Sequence, residues 1–367
     1  MKVLFFTNIP SPYRVDFFNE LGKEEEVELT VAFERRSATD RDDSWYSQKF
    51  NFFQAIFLKT KQIKEESSFG FDAVRVLKKQ EYDLVIFDGY SSPTMIFAIS
   101  YCRRKKKKYL VSFDGILKQN DGRFLRILKK YLLNKACGVL FSNLSAEKYL
   151  SNYNKNLYLY PFTSLFERDM ISNPLSSEEK LVLRKKLGLK EDKIIISVGR
   201  FLELKGFDIA INSMQYLSKE VGLYLVGGTP TEEYLQLREK QDAGRIHFVD
   251  FMNKEALNEY YRAADVLIMP TRGDVWGLVI NEAMANGLPI VSSDCCVAAL
   301  ELVKEGENGY IVPVDDEKAL ADAVSKVLES EETTRRMSEA SLQIVRAYTF
   351  ENMAKRHVEV FKKCLEG

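Results

Sequence analysis

Short apolar runs alternate with amphipathic segments along the first half of the chain. Segments with helical periodicity, such as Asp16–Gly22 and Phe71–Lys79, lie between most of these runs. Near-continuous apolar strands separated by helices are typical of a parallel sheet that is covered on both faces. The predicted strands are Lys2–Thr7, Leu29–Phe33, Asp83–Phe87, Lys108–Phe113, Gly138–Ser142 and Asn156–Tyr160.

The pattern begins again after a polar, proline-containing stretch, Phe166–Lys180, which we interpret as a linker. The last residues predict an amphipathic helix whose apolar side needs a surface to cover. We therefore expect Rossmann-like, doubly wound α/β domains over residues 1–168 and 169–349, facing each other across a cleft. A helix over residues 350–367 is expected to pack back toward the first domain. The strands predicted in the second half are Lys193–Val198, Gly222–Val226, Ile246–Phe251, Asp265–Pro270, Pro289–Ser292 and Tyr310–Val312.

The composition fits two folded domains of ordinary size. The 367 residues are 46% hydrophobic and 29% charged, which excludes a disordered chain. The formal net charge of zero is unevenly distributed. Residues 1–165 hold 27 Lys and Arg against 19 Asp and Glu, a net charge of +8, and the remaining 26 and 34 give −8. The first half is therefore basic and the second acidic.

Cysteine spacing and hydropathy bear on the cellular compartment. The five cysteines show no C-x-x-C spacing, so neither a zinc site nor a disulfide framework is predicted. No run approaches the roughly 18 apolar residues of a membrane span. The opening "MKVLFFTNIP" predicts a strand, not a signal peptide. We expect a cytoplasmic protein that associates at most peripherally with the inner face of the plasma membrane.

Two cations follow the first predicted strand of the second half, in "SVGRFLELKGFD". Arg200 offers a bidentate fork, Lys205 a point charge, and the start of the next helix free amides, which together suit a polyphosphate. Two solvated cations in a loop are the alternative. Gly227–Gly228 after the next strand allows close approach of a ligand, or serves as a simple turn. No G-x-G-x-x-G follows the first strand of the chain, which argues against a dinucleotide dehydrogenase.

Two acids, Asp274 and Glu282, stand eight positions apart in the stretch Arg272–Val291. In a helix that began at about Val275, they would be about 12 Å apart along the axis and on roughly the same side. That separation is too large for a shared proton and suits the two ends of an elongated ligand. The amides of Gly277–Val279 would lie at the helix start, where they suit phosphate or sugar oxygens. An amphipathic helix with two incidental acids is the alternative.

The order of these motifs resembles the C-terminal domain of retaining GT-B glycosyltransferases of family GT4, which includes bacterial polysaccharide and lipid-glycan transferases. The resemblance rests on the spaced Arg and Lys, the Gly pair, "ADVLIMPT" and the D-x7-E spacing that continues as "EAMANGLPIVSSD". It covers about residues 190–315. The N-terminal half matches only in its pattern and its opening strand and loop. The resemblance implies a GT-B fold and transfer of a hexose or deoxyhexose, with retention, from a nucleotide-diphosphate sugar.

The resemblance also implies residue roles. Arg200 and Lys205 would bind the donor diphosphate and offset charge on the departing nucleotide. Asp274 would hold hydroxyls of the transferred sugar and steady positive charge at its anomeric carbon, and Glu282 would hold the ribose. Further donor contacts are expected from Gly199, Gly228, Gly277, Leu278 and Val279.

Two positions depart from the family pattern. Asp274 stands where the family usually has Glu, which is one methylene longer. Phe113 stands where the family often has a His near the C6 hydroxyl of the sugar, and both histidines of this chain, His247 and His357, lie in its second half. Asp114 could substitute for that His, or the donor could be a 6-deoxyhexose, which has no C6 hydroxyl.

The implied chemistry requires neither a metal nor a cofactor, because a β-phosphate oxygen of the donor can itself take the acceptor proton. A D-x-D within Asp40–Asp43 could suggest Mn²⁺, but a solvated acidic loop explains it better. Candidates on the acceptor side are Ser11 and Arg14, in the loop "TNIPSPYR", and Asp114. A helix-capping turn explains Ser11 equally well.

Two basic segments suggest a partner. Arg103–Lys108 is an uninterrupted run of six cations, and the predicted helix Arg123–Lys135 combines cations with apolar residues at helical spacing. Such segments bind anionic membrane surfaces, which suits a lipid-linked glycan acceptor. A solvated surface beside a core-facing helix is the alternative. Nucleic acid is not expected, because no aromatic platform or known binding motif accompanies the cations.

Two other functions stay open at this point. The chain could be a non-catalytic GT-B protein that binds a nucleotide-sugar, or a sugar-nucleotide epimerase of the same fold. The D-x7-E spacing favours a transferase that builds a surface polysaccharide of capsule or O-antigen type. The sequence leaves open the nucleotide (UDP, GDP or dTDP), the sugar, the acceptor, the linkage and the oligomeric state.

Overall fold

The computed structural model describes residues 1–36, 49–64, 67–117 and 121–366. The chain forms two compact units. The first holds Met1–Thr163 together with Thr349–Gly367, and the second holds Ser164–Tyr348. The boundaries between the two units lie after residues 163 and 348, whereas the predicted domain boundaries lie after residues 168 and 349.

In the part of the first unit that the structure describes, seven parallel strands form one sheet in the order β3-β2-β1-β6-β7-β8-β9. A separate antiparallel pair is formed by β4 and β5. The strands are β1 Lys2–Thr7, β2 Glu28–Phe33, β3 Gln54–Phe57, β4 Lys61–Lys64, β5 Ser67–Phe69, β6 Leu84–Asp88, β7 Tyr109–Phe113, β8 Gly138–Phe141 and β9 Leu157–Leu159. The helices are α1 Pro12–Leu21, α2 Asp72–Lys79, α3 Pro93–Lys105, α4 Arg123–Leu133, α5 Glu147–Leu150 and the C-terminal helix Phe350–Glu366.

The C-terminal helix packs within the first unit, against α1. His357 lies 4.8 Å from Phe17 between ring centroids and is buried, with Val360 and Phe361 buried beside it. The Nδ1 atom of His357 is 2.8 Å from the carbonyl oxygen of Met353. Burial lowers the pKa of His357 to about 4, so the imidazole is neutral at physiological pH. This helix covers an apolar surface, as its periodicity requires.

Among the described residues of the second unit, six parallel strands form a sheet in the order β12-β11-β10-β13-β14-β15. The strands are β10 Lys193–Val198, β11 Val221–Val226, β12 Ile246–Val249, β13 Val266–Met269, β14 Ile290–Ser293 and β15 Gly309–Val312. The helices are α6 Ser177–Leu187, α7 Phe207–Ser213, α8 Glu232–Lys240, α9 Lys254–Ala263, α10 Leu278–Ala285, α11 Val297–Leu302, α12 Glu317–Val327 and α13 Glu331–Val345. Both units are therefore doubly wound α/β, which confirms the predicted fold class.

The predicted linker is too long. α6 begins at Ser177, where Ser176 and Glu179 form a capping box: the Ser176 hydroxyl accepts from the Glu179 amide at 3.2 Å, and the Glu179 carboxylate accepts from the Ser176 amide at 2.8 Å. The polar "SSEEK" is thus the first turn of a helix.

The strand orders identify where each unit can bind a ligand. The order reverses between β1 and β6 in the first sheet and between β10 and β13 in the second. At such a reversal the loops after neighbouring strands diverge to opposite faces, which opens a crevice at the carboxyl ends of the strands. The loops after β1 and β6, and those after β10 and β13, are therefore the candidate ligand-binding loops.

Candidate functional site

Lys205 and Asp274 meet at the strand reversal of the second unit. Lys205 ends a single 3₁₀ turn, Glu203–Lys205, that follows β10, and Asp274 follows β13. The Nζ atom of Lys205 lies 2.7 Å from Oδ2 of Asp274, and the two side chains are 22% and 17% exposed. The two residues were predicted to contact different parts of one ligand, and their side chains lie next to each other.

Asp274 lies before helix α10, which begins at Leu278, three residues after the start at about Val275 that the sequence analysis considered. The Asp274 amide donates to the carbonyl oxygen of Cys295 at 2.9 Å, which holds this segment beside the loop after β14. Its Oδ1 accepts from the Trp276 amide at 3.2 Å, in a local turn. Gly277 then adopts a left-handed conformation, with φ 97°, and the helix follows. These hydrogen bonds, together with the burial of the Trp276 side chain, hold residues 274–277 in a non-helical conformation.

Gly277 is required by its surroundings. A Cβ atom there would lie 2.7 Å from Sγ of Cys296 and 3.1 Å from Cε of Met269, in addition to the unfavourable φ. The residue therefore sets the direction of α10. Leu278 and Val279 follow as half-buried residues in its first turn, where backbone amides are not used by the helix itself.

Glu282 lies on α10 between two neutral hydroxyl donors. Ser164 Oγ donates to Oε1 at 3.1 Å, and the Tyr261 hydroxyl donates to Oε2 at 3.3 Å. Burial raises the pKa of the Glu282 carboxyl, whereas these hydrogen bonds act in the opposite direction. Sequence reasoning missed both partners, since Ser164 is 118 positions away and Tyr261 has the periodicity of an apolar helix face.

The glycines after β10 and β11 allow their two loops to touch. A Cβ atom on Gly227 would lie 1.7 Å from the carbonyl oxygen of Gly199. Gly228 has φ 111° and open space around it, so its conformation favours glycine although its surroundings would accept a side chain. The side chain of Arg200, next to Gly199, is exposed at this edge. The predicted donor residues of the loops after β10, β11 and β13 thus lie on one edge of one sheet.

Arg14 and Asp114 meet at the strand reversal of the first unit. Arg14 is buried, and its guanidinium contacts Asp114 and lies 2.7 Å from Oδ2 of Asp88. The Tyr160 hydroxyl donates to Oδ1 of Asp114 at 3.0 Å. Burial, together with the neighbouring charge of Asp88, raises the pKa of Asp114 to about 6, although the Arg14 charge acts in the opposite direction. Asp88 and Tyr160 were not predicted.

Ser11 and Phe113 are also located by the structure. Ser11 is buried at the start of α1, where its carbonyl oxygen accepts from the amide of Arg14 at 3.0 Å; its side chain makes no capping hydrogen bond. Phe113 packs edge-on against Tyr90, with ring centroids 5.6 Å apart. The D-x-D of Asp40–Asp43 lies outside the described residues. Within the described ranges, no group of three His, Cys, Asp or Glu side chains is placed to hold a metal ion.

The run Arg103–Lys108 is only partly solvated. Arg103 lies over the ring of Tyr131 on α4, 4.2 Å from its centroid, and Lys107 pairs with Glu81 at 2.6 Å. Lys108 donates to the carbonyl oxygen of Leu365 at 2.8 Å. Arg104, although exposed, lies over the Tyr101 ring at 5.9 Å from its centroid, so four of the six cations have structural partners. Lys105 and Lys106 are exposed as well.

Helix α4 exposes apolar residues together with cations. Phe124, Ile127 and Tyr131, at spacings of three and four, are 80%, 61% and 44% exposed. Exposed cations adjoin them, so that one surface, hereafter the basic helix face, contains Arg123, Phe124, Arg126, Ile127, Lys130 and Tyr131. Across the residues that the structure covers, no helix has the length and apolar character needed to cross a membrane.

Comparisons with known proteins bear on the second unit most directly. Residues 179–343, all of which lie in that unit, match the family described as Glycosyl transferases group 1. An uncharacterized glycosyltransferase of Methanocaldococcus jannaschii is 29% identical over 264 residues, which are 69% of this chain and 66% of that protein. An uncharacterized 41.2 kDa protein in the cps region of Klebsiella pneumoniae is 26% identical over 289 residues, which are 77% and 70% of the two chains.

The fold is shared with solved structures over the whole chain. The crystal structure of Anabaena Alr3699/HepE in complex with UDP has a TM-score of 0.76 at 17% identity, covering 99% of this chain and 100% of that one. At this identity the likeness concerns the fold alone. It shows that the two Rossmann-like units have the GT-B architecture.

Proposed function

We propose that this chain, whose residues 179–343 match the family described as Glycosyl transferases group 1, transfers a hexose or deoxyhexose from a nucleotide-diphosphate sugar to an acceptor. The observation that carries the proposal is the 2.7 Å contact between Lys205 and Asp274. In a nucleotide-sugar donor, the anomeric carbon links an anionic diphosphate to a sugar that carries many hydroxyl groups. A cation next to an acid matches this arrangement, because Lys205 can bind the diphosphate while Asp274 accepts hydrogen bonds from the sugar hydroxyls.

The roles follow from the chemistry of each side chain. Lys205 and Arg200 bind the diphosphate and stabilise the charge that builds up as it departs, which is where electrostatic stabilisation is most effective. Asp274 accepts hydrogen bonds from the sugar hydroxyls and stabilises positive charge at the anomeric carbon. Glu282 accepts from the ribose in place of the hydroxyl donors Ser164 and Tyr261. We propose a retaining, metal-independent reaction in which a β-phosphate oxygen takes the acceptor proton.

We further propose a glycan or lipid-linked glycan as the acceptor, in the synthesis of a surface polysaccharide of capsule or O-antigen type. The relative in a cps region supports this assignment. In the first unit, Asp114 and Asp88 offer carboxylate oxygens to acceptor hydroxyls, and the buried Arg14 offsets part of their charge.

A donor screen tests the proposed function. Thermal unfolding of the protein is measured with UDP-, GDP- and dTDP-sugars, including a 6-deoxyhexose donor, and transfer is then assayed with the donor that binds. We expect one nucleotide to stabilise the protein, by about 2.7 kcal/mol at a donor concentration of 100 Kd. A preference for the 6-deoxyhexose would agree with Phe113 in the place of His. Binding without turnover on any glycan acceptor would favour the non-catalytic alternative.

The basic helix face is the proposed contact with an anionic membrane, at the inner face of the plasma membrane. Replacing Arg123, Arg126 and Lys130 by Gln should reduce binding to phosphatidylglycerol vesicles at least about tenfold, since each cation near such a surface contributes about 1 kcal/mol. Vesicle co-sedimentation measures the effect. A matched control replaces three exposed lysines of the second unit, Lys185, Lys190 and Lys240, by Gln. Equal loss in both variants, or none in either, would contradict the assignment.

A further inference from the structure

Arg272 makes an unusually large number of directed contacts for a loop residue. Its guanidinium donates to both carboxylate oxygens of Asp208, from Nη1 at 3.0 Å and from Nη2 at 2.6 Å. Its Nε donates to Oδ1 of Asp315 at 2.7 Å, and Nη1 also donates to the carbonyl oxygen of Glu203 at 2.5 Å. Asp315 has φ 61°, which a non-glycine residue rarely adopts. These four hydrogen bonds join the loops after β10, β13 and β15.

The loops after β10 and β13 are also joined by hydrogen bonds to one backbone carbonyl oxygen. The Arg272 amide donates to the carbonyl oxygen of Leu204 at 2.8 Å, and the Thr271 hydroxyl donates to the same oxygen at 2.8 Å. Gly206, with φ 68°, approaches β13 so closely that a Cβ atom would lie 2.0 Å from the carbonyl oxygen of Pro270. The 3₁₀ turn Glu203–Lys205 is therefore fixed to the segment that leads into Asp274.

These contacts connect Arg272 to the turn that ends at Lys205, and Arg272 itself precedes Asp274 in the chain. Lys205 and Asp274 are the pair that the proposed function requires. Lys205 is the last residue of the fixed turn, and Asp274 is two residues after Arg272. A shift of the turn relative to the β13 loop would change the distance between the Lys205 ammonium and the Asp274 carboxylate. A displacement of about 1 Å at a reacting group can cost about a hundredfold in rate.

We propose that Arg272 is a positioning residue for glycosyl transfer, which sets the spacing of Lys205 and Asp274 without itself contacting the donor. The inference rests on the proposed function of the site. Arginine suits this role because its planar fork binds Asp208 in a bidentate manner while Nε and Nη1 reach two further partners. Lysine would keep the charge and lose this geometry.

The test is therefore Arg272→Lys, with two readouts. Hydrogen exchange reports the turn itself: the amides of Lys205 and Gly206 donate to Leu202 and Glu203 within it, at 2.8 Å and 3.1 Å. We expect these amides to exchange about tenfold faster in the variant. The matched control is Arg336→Lys, because Arg336 also donates to a backbone carbonyl oxygen, that of Gly306, and belongs to the same unit.

Nucleotide affinity is the second readout. Calorimetry with UDP, GDP and dTDP identifies the diphosphate that the wild-type protein binds, and we expect Arg272→Lys to weaken its binding about tenfold. In a Lys205→Ala background the same substitution should change affinity less than twofold, because a residue that acts through Lys205 has nothing left to position. An equal factor in both backgrounds would indicate a purely structural role and overturn the proposal.

Different results would contradict the positioning role of Arg272 and the proposed function of the site. Unchanged exchange at Lys205 and Gly206 in Arg272→Lys would overturn the positioning role whatever the nucleotide data show. If the wild-type protein bound none of the three nucleotides, the proposed donor site would be contradicted. The functional role of Arg272 would then be contradicted as well, even if the exchange data showed that Arg272 holds the turn.

Discussion

Simultaneous replacement of Arg200 and Lys205 by Ala is expected to reduce kcat/KM for glycosyl transfer at least about a thousandfold. Removal of a single group that stabilises developing negative charge typically costs about 10²–10³ in rate, and this variant loses both cations that we propose bind the departing diphosphate. Lys205→Ala also leaves the Asp274 carboxylate, 2.7 Å away, without this partner. The acid then repels the donor diphosphate, which adds to the loss.

The fold should survive this double substitution. The Arg200 side chain is exposed and that of Lys205 is 22% exposed, so neither contributes much apolar burial. Single-turnover transfer and thermal unfolding are measured together, with Lys185→Ala/Lys190→Ala as a charge-matched control at exposed positions of the same unit. A folded double variant that turned over at a rate near that of the wild type would show that these cations do not bind the diphosphate.

Burial on both faces of a sheet explains why the central strands could be predicted. β1 and β10 have the predicted bounds, because their apolar runs are continuous and end in polar or glycine-containing loops. The edge strand β3, "QAIF", is half-buried, and the paired strands β4 and β5 are only four and three residues long. β4 and β5 lack an apolar run, whereas β3 lies within the apolar stretch Phe52–Leu58; none of the three strands was predicted.

The candidate site was predictable only where its signal is local in sequence. The spacing of Asp274 and Glu282 is visible in one stretch of chain, whereas their partners come from other elements. Tyr160, Ser164 and Asp88 carry no local sign of their role. The hydrogen bonds from Tyr160 to Asp114 and from Ser164 to Glu282 span 46 and 118 positions, and Asp88 accepts from the Thr7 hydroxyl, 81 positions away. Long-range pairing of this kind depends on strand order, which a single sequence does not specify.

Glu282→Ala is expected to weaken nucleoside-diphosphate binding by about 10- to 100-fold. Hydrogen bonds that involve a charged group contribute about 1.5–3 kcal/mol each, and a half-buried carboxylate is a strong acceptor for ribose hydroxyls. Burial already raises the pKa of Glu282, and its two hydroxyl partners are neutral. Loss of the carboxylate therefore removes the acceptor without leaving an unpaired cation, so folding should be retained.

If Glu282 binds the ribose hydroxyls, Glu282→Ala should reduce the discrimination between nucleotides with and without these hydroxyls, as well as the affinity. The wild-type protein should bind a nucleoside diphosphate at least about tenfold more tightly than its 2′,3′-dideoxy analogue, and Glu282→Ala should bind the two with less than a twofold difference. Calorimetry measures both pairs, and Glu239→Ala, an exposed acid of the same unit, is the matched control. If Glu282→Ala kept the wild-type discrimination, the carboxylate would not contact the ribose, and Glu282 would act elsewhere on the donor or only through Ser164 and Tyr261.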